Sequence, residues 1–247
     1  MKLKDILDGL AFTGDIKEDT EIKDIAYDSR KAREGIIFVC LEGAFADGHK
    51  YAQSAYERGS RAFLVSKDIS VPEDAAVIKV QDTRAALAKI SCNFFRNPSK
   101  EIDVIGITGT KGKTTVAHIV KSVLEAGGLK TGIIGTVGAS YGDVVLPTVN
   151  TTPESYELQK LFRAMLNKGC KAVALEVGGA YSVQDCFDLV DTWEKTRVPF
   201  MFMENCCYNR DELLATAMAR KGLFGRIIYC SGSYSHDLRS EVTRGKE

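Results

Sequence analysis

Apolar residues along this chain fall into short unbroken runs, separated by longer stretches in which they recur every three or four positions. "IIFVCL" (36–41), "RAFLV" (61–65) and "AAVIKV" (75–80) are runs of strand length, and they predict buried strands. Between the first two, "HKYAQSAYERGS" (49–60) has helical character that ends at Gly59. "DTRAALAKISCNFF" (82–95) puts Leu87, Ile90 and Phe94 on one helical face, with Asp82 placed to cap the first turn. "RNPSK" (96–100) turns polar, and Pro98 breaks the helix there, so a linker is expected. A strand reopens in "IDVIGITG" (102–109), and the helix "TTVAHIVKSVLEAGG" (114–128) carries Val116, Ile119, Val120, Val123 and Leu124 at helical spacing. The strand "KTGIIGTVG" (130–138) follows. Thr152 and Pro153 make a helix start for "ESYELQKLFRAMLNKG" (154–169), and "KAVALEV" (171–177) is again a strand.

The same alternation continues through a helix (182–196), a strand (198–205), a helix (210–222) and a strand (226–232). Strand and helix in regular alternation predict an α/β chain with parallel sheets covered by helices. The expected organisation is a small N-terminal α/β domain (1–98), a phosphate-loop parallel-sheet domain (99–177) that is truncated, and a Rossmann-type fragment (178–247) that continues it. The crossover spacing lets a strand near 199–204 join the sheet of the middle domain.

Composition narrows the function classes. Lysine plus arginine equals aspartate plus glutamate at 33 each, so no net field draws the chain to nucleic acid or anionic lipid, and phosphate binding has to be local. The opening "MKLKDILDGLAFTG" is broken by Asp5 and Asp8 and is not a secretory signal, and no run approaches the roughly 20 apolar residues of a membrane span. Seven cysteines, an odd number without CxxC spacing, read as reduced core thiols of a cytoplasmic protein and not as a disulfide framework or zinc site.

The sharpest chemical signal is "GITGTKGKTT" (106–115), between a strand and a helix. Gly109 and Gly112 let the backbone turn so that its N–H groups converge on phosphate oxygens beside the positive end of a helix dipole. Lys113 is placed to hold terminal phosphates and Thr114 to ligate magnesium; Thr110, Lys111 and Thr115 complete the candidate loop. The generic loop has a further glycine where this chain has Ile107, and the plain alternative is a strand-to-helix turn that binds nothing.

"TGTKGKTT" resembles the ATP loop of the Mur ligase family, which departs from the generic pattern in the same way. "AYDSRKAREGIIFVCLEGAFADGHKYAQSAYERGSRAFLV" resembles the N-terminal UDP-sugar-binding domain of that family's muramyl-tripeptide synthetase branch, and "NTTPE" its substrate loop. The resemblance implies an ATP- and magnesium-dependent ligase acting on UDP-MurNAc-L-alanyl-D-glutamate in peptidoglycan precursor synthesis. It implies that Ser29 and Arg30 touch the uridine nucleotide, that Asn150, Thr151 and Thr152 hold the substrate, and that Glu176 helps Thr114 bind magnesium. Taken singly, "DSR" also reads as a turn with a surface ion pair and "NTTP" as a helix cap.

After Glu176 that resemblance stops: Gly178 and Gly179 stand where the family has serines, and its later histidine and lysine segments have no counterpart. No residue is therefore assigned a catalytic role, and binding without turnover is expected. The stretch from "ALEVGGAYSV" to "YSHDLRSEV" instead resembles an NAD-dependent glycosidase of the glucose-fructose-oxidoreductase-like superfamily. By that likeness Glu176, Val177 and Asn205 lie near NAD and Tyr234 near a sugar, although no GxGxxG fingerprint occurs in the chain. "KAVALEV" suits both families and reads as a seam. A nucleotide-binding protein without catalysis is the third reading.

Overall fold

The computed structural model describes the chain except residues 15, 17, 18, 44, 45, 110, 149, 179–182, 200–213, 215, 216 and 224–247. Two compact units divide it, Met1–Asp185 and Cys186–Glu247.

The first unit opens with a parallel sheet of four strands in sequential order, β1 (Asp24–Ala26), β2 (Ile36–Val39), β3 (Ala62–Val65) and β4 (Ala76–Lys79). Three helices belong to it: α1 (Leu3–Ile6), α2 (Ala52–Glu57) and α3 (Thr83–Phe94). Alternate residues of a strand face opposite ways, and here both faces are covered. Ile37, Val39, Leu64 and Ile78 pack with Leu3 and Ile6 of α1 and Leu87 and Ile90 of α3. Phe38, Cys40, Phe63 and Val65 pack with Ala52 and Ala55 of α2. Double coverage is why these strands read as unbroken apolar runs. Asp82 caps α3 as expected, its carboxylate accepting from the N–H groups of Arg84 and Ala85 at 2.8 and 3.0 Å.

The second sheet contains β5 (Asp103–Ile107), β6 (Thr131–Gly135), β7 (Gly138–Tyr141), β8 (Val144–Leu146) and β9 (Ala172–Glu176), in the order β5-β9-β6-β7-β8. It is flanked by α4 (Lys113–Ala126) and α5 (Ser155–Asn167). β9, last in sequence, lies between β5 and β6 and is parallel to both. Its alternation sorts the core: Val173 and Leu175 pack toward α5 with Phe162 and Met165, and Ala174 packs toward α4 with Ala117.

Two sequence expectations need correction. The sheet is mixed, because β6, β7 and β8 form an antiparallel meander. Its β7–β8 turn is the two-residue Gly142-Asp143, with Gly142 at φ 58°, a hairpin signal that the sequence does contain. The helical spacing of α4 holds, with Ala117 buried and Ile119 and Val123 exposed. And α5 begins at Ser155 with Glu154 as N-cap, so Thr152 does not cap it; the Thr152 hydroxyl donates elsewhere.

Helix α5 also docks on the first sheet. Tyr156 joins the core beneath β1–β4, and its hydroxyl donates to Asp24 at 2.5 Å. Tyr27 answers from β1's exit, donating to Glu157 at 2.7 Å. Burial pushes both phenols well above their ordinary range, so both remain donors at any physiological pH. The expected linker is pinned: Arg96 and Asn97 are left-handed, and Arg163 of α5 donates to the carbonyls of Phe95 and Arg96, each at 3.0 Å. Tyr156→Phe removes one of the donors to Asp24, which keeps the Ile25 N–H and Arg33, and is expected to cost about 1–2 kcal/mol in urea unfolding. A loss under about 0.5 kcal/mol would show that this bond does not hold the two sheets together.

Beyond β9 lies α6 (Val183–Thr196). Leu214 and residues 217–220 are helical, within the expected helix 210–222. The expected strands at 198–205 and 226–232, and with them any extra strand of the second sheet, fall largely or wholly outside the described residues. Cys40 and Cys170 are buried free thiols and Cys92 is partly buried. Burial lifts the Cys40 thiol to about 12, far from a reactive thiolate. No described helix is long and apolar enough to cross a membrane.

Candidate nucleotide and metal site

The parallel strands β5, β9 and β6 end at a common carboxyl edge, the place where ligands collect in open α/β sheets. At that edge β5 runs into the loop 108–112 and then α4. Gly109 and Gly112 sit at φ 144° and 81°, which L side chains rarely adopt, so glycine is needed there for its backbone and not for space. Lys113 folds back over the loop, its ammonium donating to the Gly109 carbonyl at 2.7 Å. The loop is tied to β9's exit: the Val177 N–H donates to Ile107 at 3.0 Å, and the Thr108 hydroxyl donates to the Gly178 carbonyl at 3.0 Å.

Period two along β9 sends Ala172, Ala174 and Glu176 to the α4 side. Glu176 thereby meets the first turn of α4, and its Oε2 accepts from the Thr114 hydroxyl at 3.0 Å. Thr136, just past β6, donates to the same oxygen at 3.1 Å. Gly135 lies against the carboxylate so closely that a Cβ there would come within 2.1 Å of Oε1. Glu176 is fully buried, and its Oε1 has no hydrogen-bond partner. A buried carboxylate oxygen without a donor is costly unless a cation takes it. The unpartnered Oε1, on a carboxylate whose other oxygen is held by the Thr114 hydroxyl, is the feature that fits a cation such as magnesium. No group of three or more His, Cys, Asp or Glu occurs among the described residues, so the ligands here would be one carboxylate, a hydroxyl and ligand oxygens.

The loop "NTTPE" reaches this centre. Thr152 donates to the Glu176 backbone carbonyl at 2.9 Å, and the Thr151 hydroxyl lies 3.2 Å from that of Thr136. Asn150, Lys111 and Thr115 are exposed. Ser29 and Arg30 open a short turn after β1, where Arg30 pairs with Asp28 at 2.8 Å and holds that carboxyl down at about 2. This is the surface ion pair that "DSR" also allows. Thr110, Asn205 and Tyr234 lie outside the described residues. Val177 is partly buried against the α5-side core. The sequence reading missed Thr136 and Gly135. Thr136 stands out in the sequence only as a polar residue directly after a strand, and Gly135 has no local signal, since its role comes from Glu176 on the neighbouring strand.

Comparison with known proteins adds three family matches: "Mur ligase family, catalytic domain" over residues 21–95, "Mur ligase middle domain" over 107–191, and "Glycosyl hydrolase 109, C-terminal domain" over 208–247. The middle-domain match runs past Val177, where the sequence reading ends that likeness, and takes in most of α6. A UDP-N-acetylmuramoyl-L-alanyl-D-glutamate–2,6-diaminopimelate ligase of Clostridium perfringens is 46% identical over 179 residues, 72% of this chain and 37% of that protein. The ligase of the same description from Clostridium botulinum is 38% identical over 93% of this chain and 53% of its own length. The chain thus spans roughly a third to a half of these relatives. Among solved structures, MurF from Acinetobacter baumannii aligns with TM-score 0.52 at 24% identity, covering 72% of this chain and 36% of that one. A structure of a UDP-N-acetylmuramoyl-L-alanyl-D-glutamate–2,6-diaminopimelate ligase aligns with TM-score 0.58 at 20% identity, over 72% of this chain and 36% of that one. These likenesses support the fold.

Proposed function

The chain belongs to the Mur ligase family through its N-terminal and middle domains, and from this premise we propose that it binds magnesium-ATP and UDP-MurNAc-L-alanyl-D-glutamate as part of a ligase that adds the third residue in peptidoglycan precursor synthesis. The observation that carries this is the buried Glu176 carboxylate, with one oxygen unpartnered, at the first turn of α4 behind the phosphate loop. Relatives named for 2,6-diaminopimelate support that amino acid as the incoming amine.

In such a ligase a substrate carboxylate oxygen bonds to the γ-phosphorus of ATP, the bond to the β–γ bridging oxygen breaks, and ADP leaves with the electron pair. An amine then displaces phosphate from the acyl phosphate. In this chain the loop N–H groups and Lys113 bind and orient the phosphates, which is most of what phosphoryl transfer asks of a protein. Thr114 and Glu176 would hold magnesium, which supplies charge neutralisation on the phosphates. Thr151 and Thr152 orient the sugar-peptide, and Ser29 and Arg30 meet the uridine nucleotide. The residues proposed for nucleotide, metal and sugar-peptide all lie within the first unit.

Calorimetry of the whole chain with magnesium-ATP, the UDP-MurNAc-dipeptide and NAD tests this. Binding of the first two supports the reading, and binding of NAD alone overturns it. The glycosyl hydrolase match over 208–247 favours a second reading, in which an NAD-linked sugar-enzyme fragment follows the ligase domains; NAD binding beside ATP binding would support it. Phosphate release with UDP-MurNAc-dipeptide, ATP and diaminopimelate at a rate within about tenfold of a full-length ligase would refute the expectation of binding alone.

A further inference from the structure

Thr136 has one hydroxyl proton and two oxygen neighbours. Glu176 Oε2 is 3.1 Å away and Thr151 Oγ1 is 3.2 Å away. A carboxylate only accepts, so the Thr136 proton goes to Glu176 and the Thr136 oxygen accepts from Thr151. The direction of the whole chain is then fixed: Thr151 donates to Thr136, and Thr136 donates to Glu176. Thr114 donates to the same Oε2 at 3.0 Å, which leaves Oε1 as the oxygen without a donor.

We propose that Thr136 is a positioning residue that couples the substrate loop to the metal-binding carboxylate, and that it makes Thr151 a hydrogen-bond acceptor toward its ligand. The proposal rests on the functional reading above, since it takes the ligands at Glu176 and Thr151 to be magnesium-nucleotide and the sugar-peptide. Two consequences follow. Ordering of Thr151 by a substrate N–H or O–H steadies Thr136 and so holds Oε1 toward the cation, which makes the two ligands bind cooperatively. By linkage the effect is reciprocal. And because Thr151 uses its proton on Thr136, it presents only lone pairs, so the substrate group it selects is a donor such as a peptide N–H or sugar O–H, and a carboxylate placed there is rejected.

The test is a double-mutant cycle on the whole chain, with magnesium-ATP affinity measured by calorimetry in the presence and absence of UDP-MurNAc-dipeptide. In the unsubstituted protein the sugar-peptide should tighten magnesium-ATP by about five- to tenfold. Thr136→Val, which keeps shape and removes the hydroxyl, should bring that factor to near one and leave ATP affinity without magnesium unchanged. Thr136→Ser should restore it. Thr151→Val should weaken magnesium-ATP on its own in the presence of Thr136 and have no further effect in the Thr136→Val background. Equal cooperativity in the unsubstituted protein and in Thr136→Val overturns the proposal. So does an independent, additive effect of Thr151→Val; if Thr136→Val does not fold, Thr136→Ala, which also lacks the hydroxyl, serves as the second background. Absence of any magnesium-ATP binding by the unsubstituted protein would refute the functional reading itself, a separate result.

Discussion

Replacing Lys113 with alanine is expected to weaken ATP binding by about 10- to 100-fold, the scale of losing charge-assisted hydrogen bonds to phosphate. In the structure the ammonium rests on the Gly109 carbonyl at 2.7 Å, so the side chain already lies across the loop that would cradle the phosphates. It needs only to exchange one acceptor for another. Thr114→Ala should behave differently, because the Thr114 hydroxyl touches Glu176 and not the Gly109 turn. Its loss is expected to reduce the magnesium-dependent part of ATP affinity while leaving binding in EDTA close to unchanged. Titrations of both variants with and without magnesium separate the two roles. Unchanged affinity in both would remove the assignment of 109–115 as a nucleotide loop, and a loss in only one would demote the other residue.

Gly135→Ala is expected to disturb both the stability of the middle domain and the placement of Glu176. Its Cβ would lie 2.1 Å from Oε1, 2.4 Å from Cδ and 2.8 Å from Cγ of Glu176, and Glu176 is held by Thr114 and Thr136 on its other oxygen. The carboxylate has to leave its place, which breaks both bonds. Overpacking of this kind costs about 1–3 kcal/mol, and the magnesium enhancement of ATP binding should vanish with the displaced carboxylate. Gly132→Ala is the matched control on the opposite face of the same strand. There the new methyl meets the Met165 sulfur at 2.6 Å, the end of a flexible side chain that can swing aside. It should cost about 1 kcal/mol or less and leave magnesium-ATP binding intact. Equal magnesium dependence in the two variants would show that Gly135 does not place Glu176.

Much of this protein was legible along the chain because the relevant forces are local. Strands β2, β3, β4 and β9 are apolar runs, α3 is announced by its Asp82 cap, and the phosphate loop is a glycine spacing between a strand and a helix; each is set by backbone geometry and by neighbours a few residues away. The candidate residues Lys113, Thr114 and Glu176 were visible as residue types at strand and helix ends. What the sequence missed depends on pairing between distant segments. Nothing within 171–177 says that β9 lies between β5 and β6, so the strand placement that sets Glu176 beside Thr114, 62 positions earlier, was not legible in the chain, although the family resemblance implied that the two residues work together. Thr152 looks like a helix cap, since a threonine before proline and glutamate fits one locally, but the tertiary fold offers it the Glu176 carbonyl instead. Ile119 and Val123 satisfy helical spacing, which is blind to how wide a face is actually covered. Gly135 and Thr136 have meaning only through the strand alongside. The sequence by itself determined the elements and the kinds of chemistry they carry, because hydrogen bonding and periodicity act at short range. Only the tertiary structure decided which hydroxyls share the buried carboxylate and which of its oxygens is left without a donor, because those contacts join β6, β9, α4 and the 150–154 loop across the sheet.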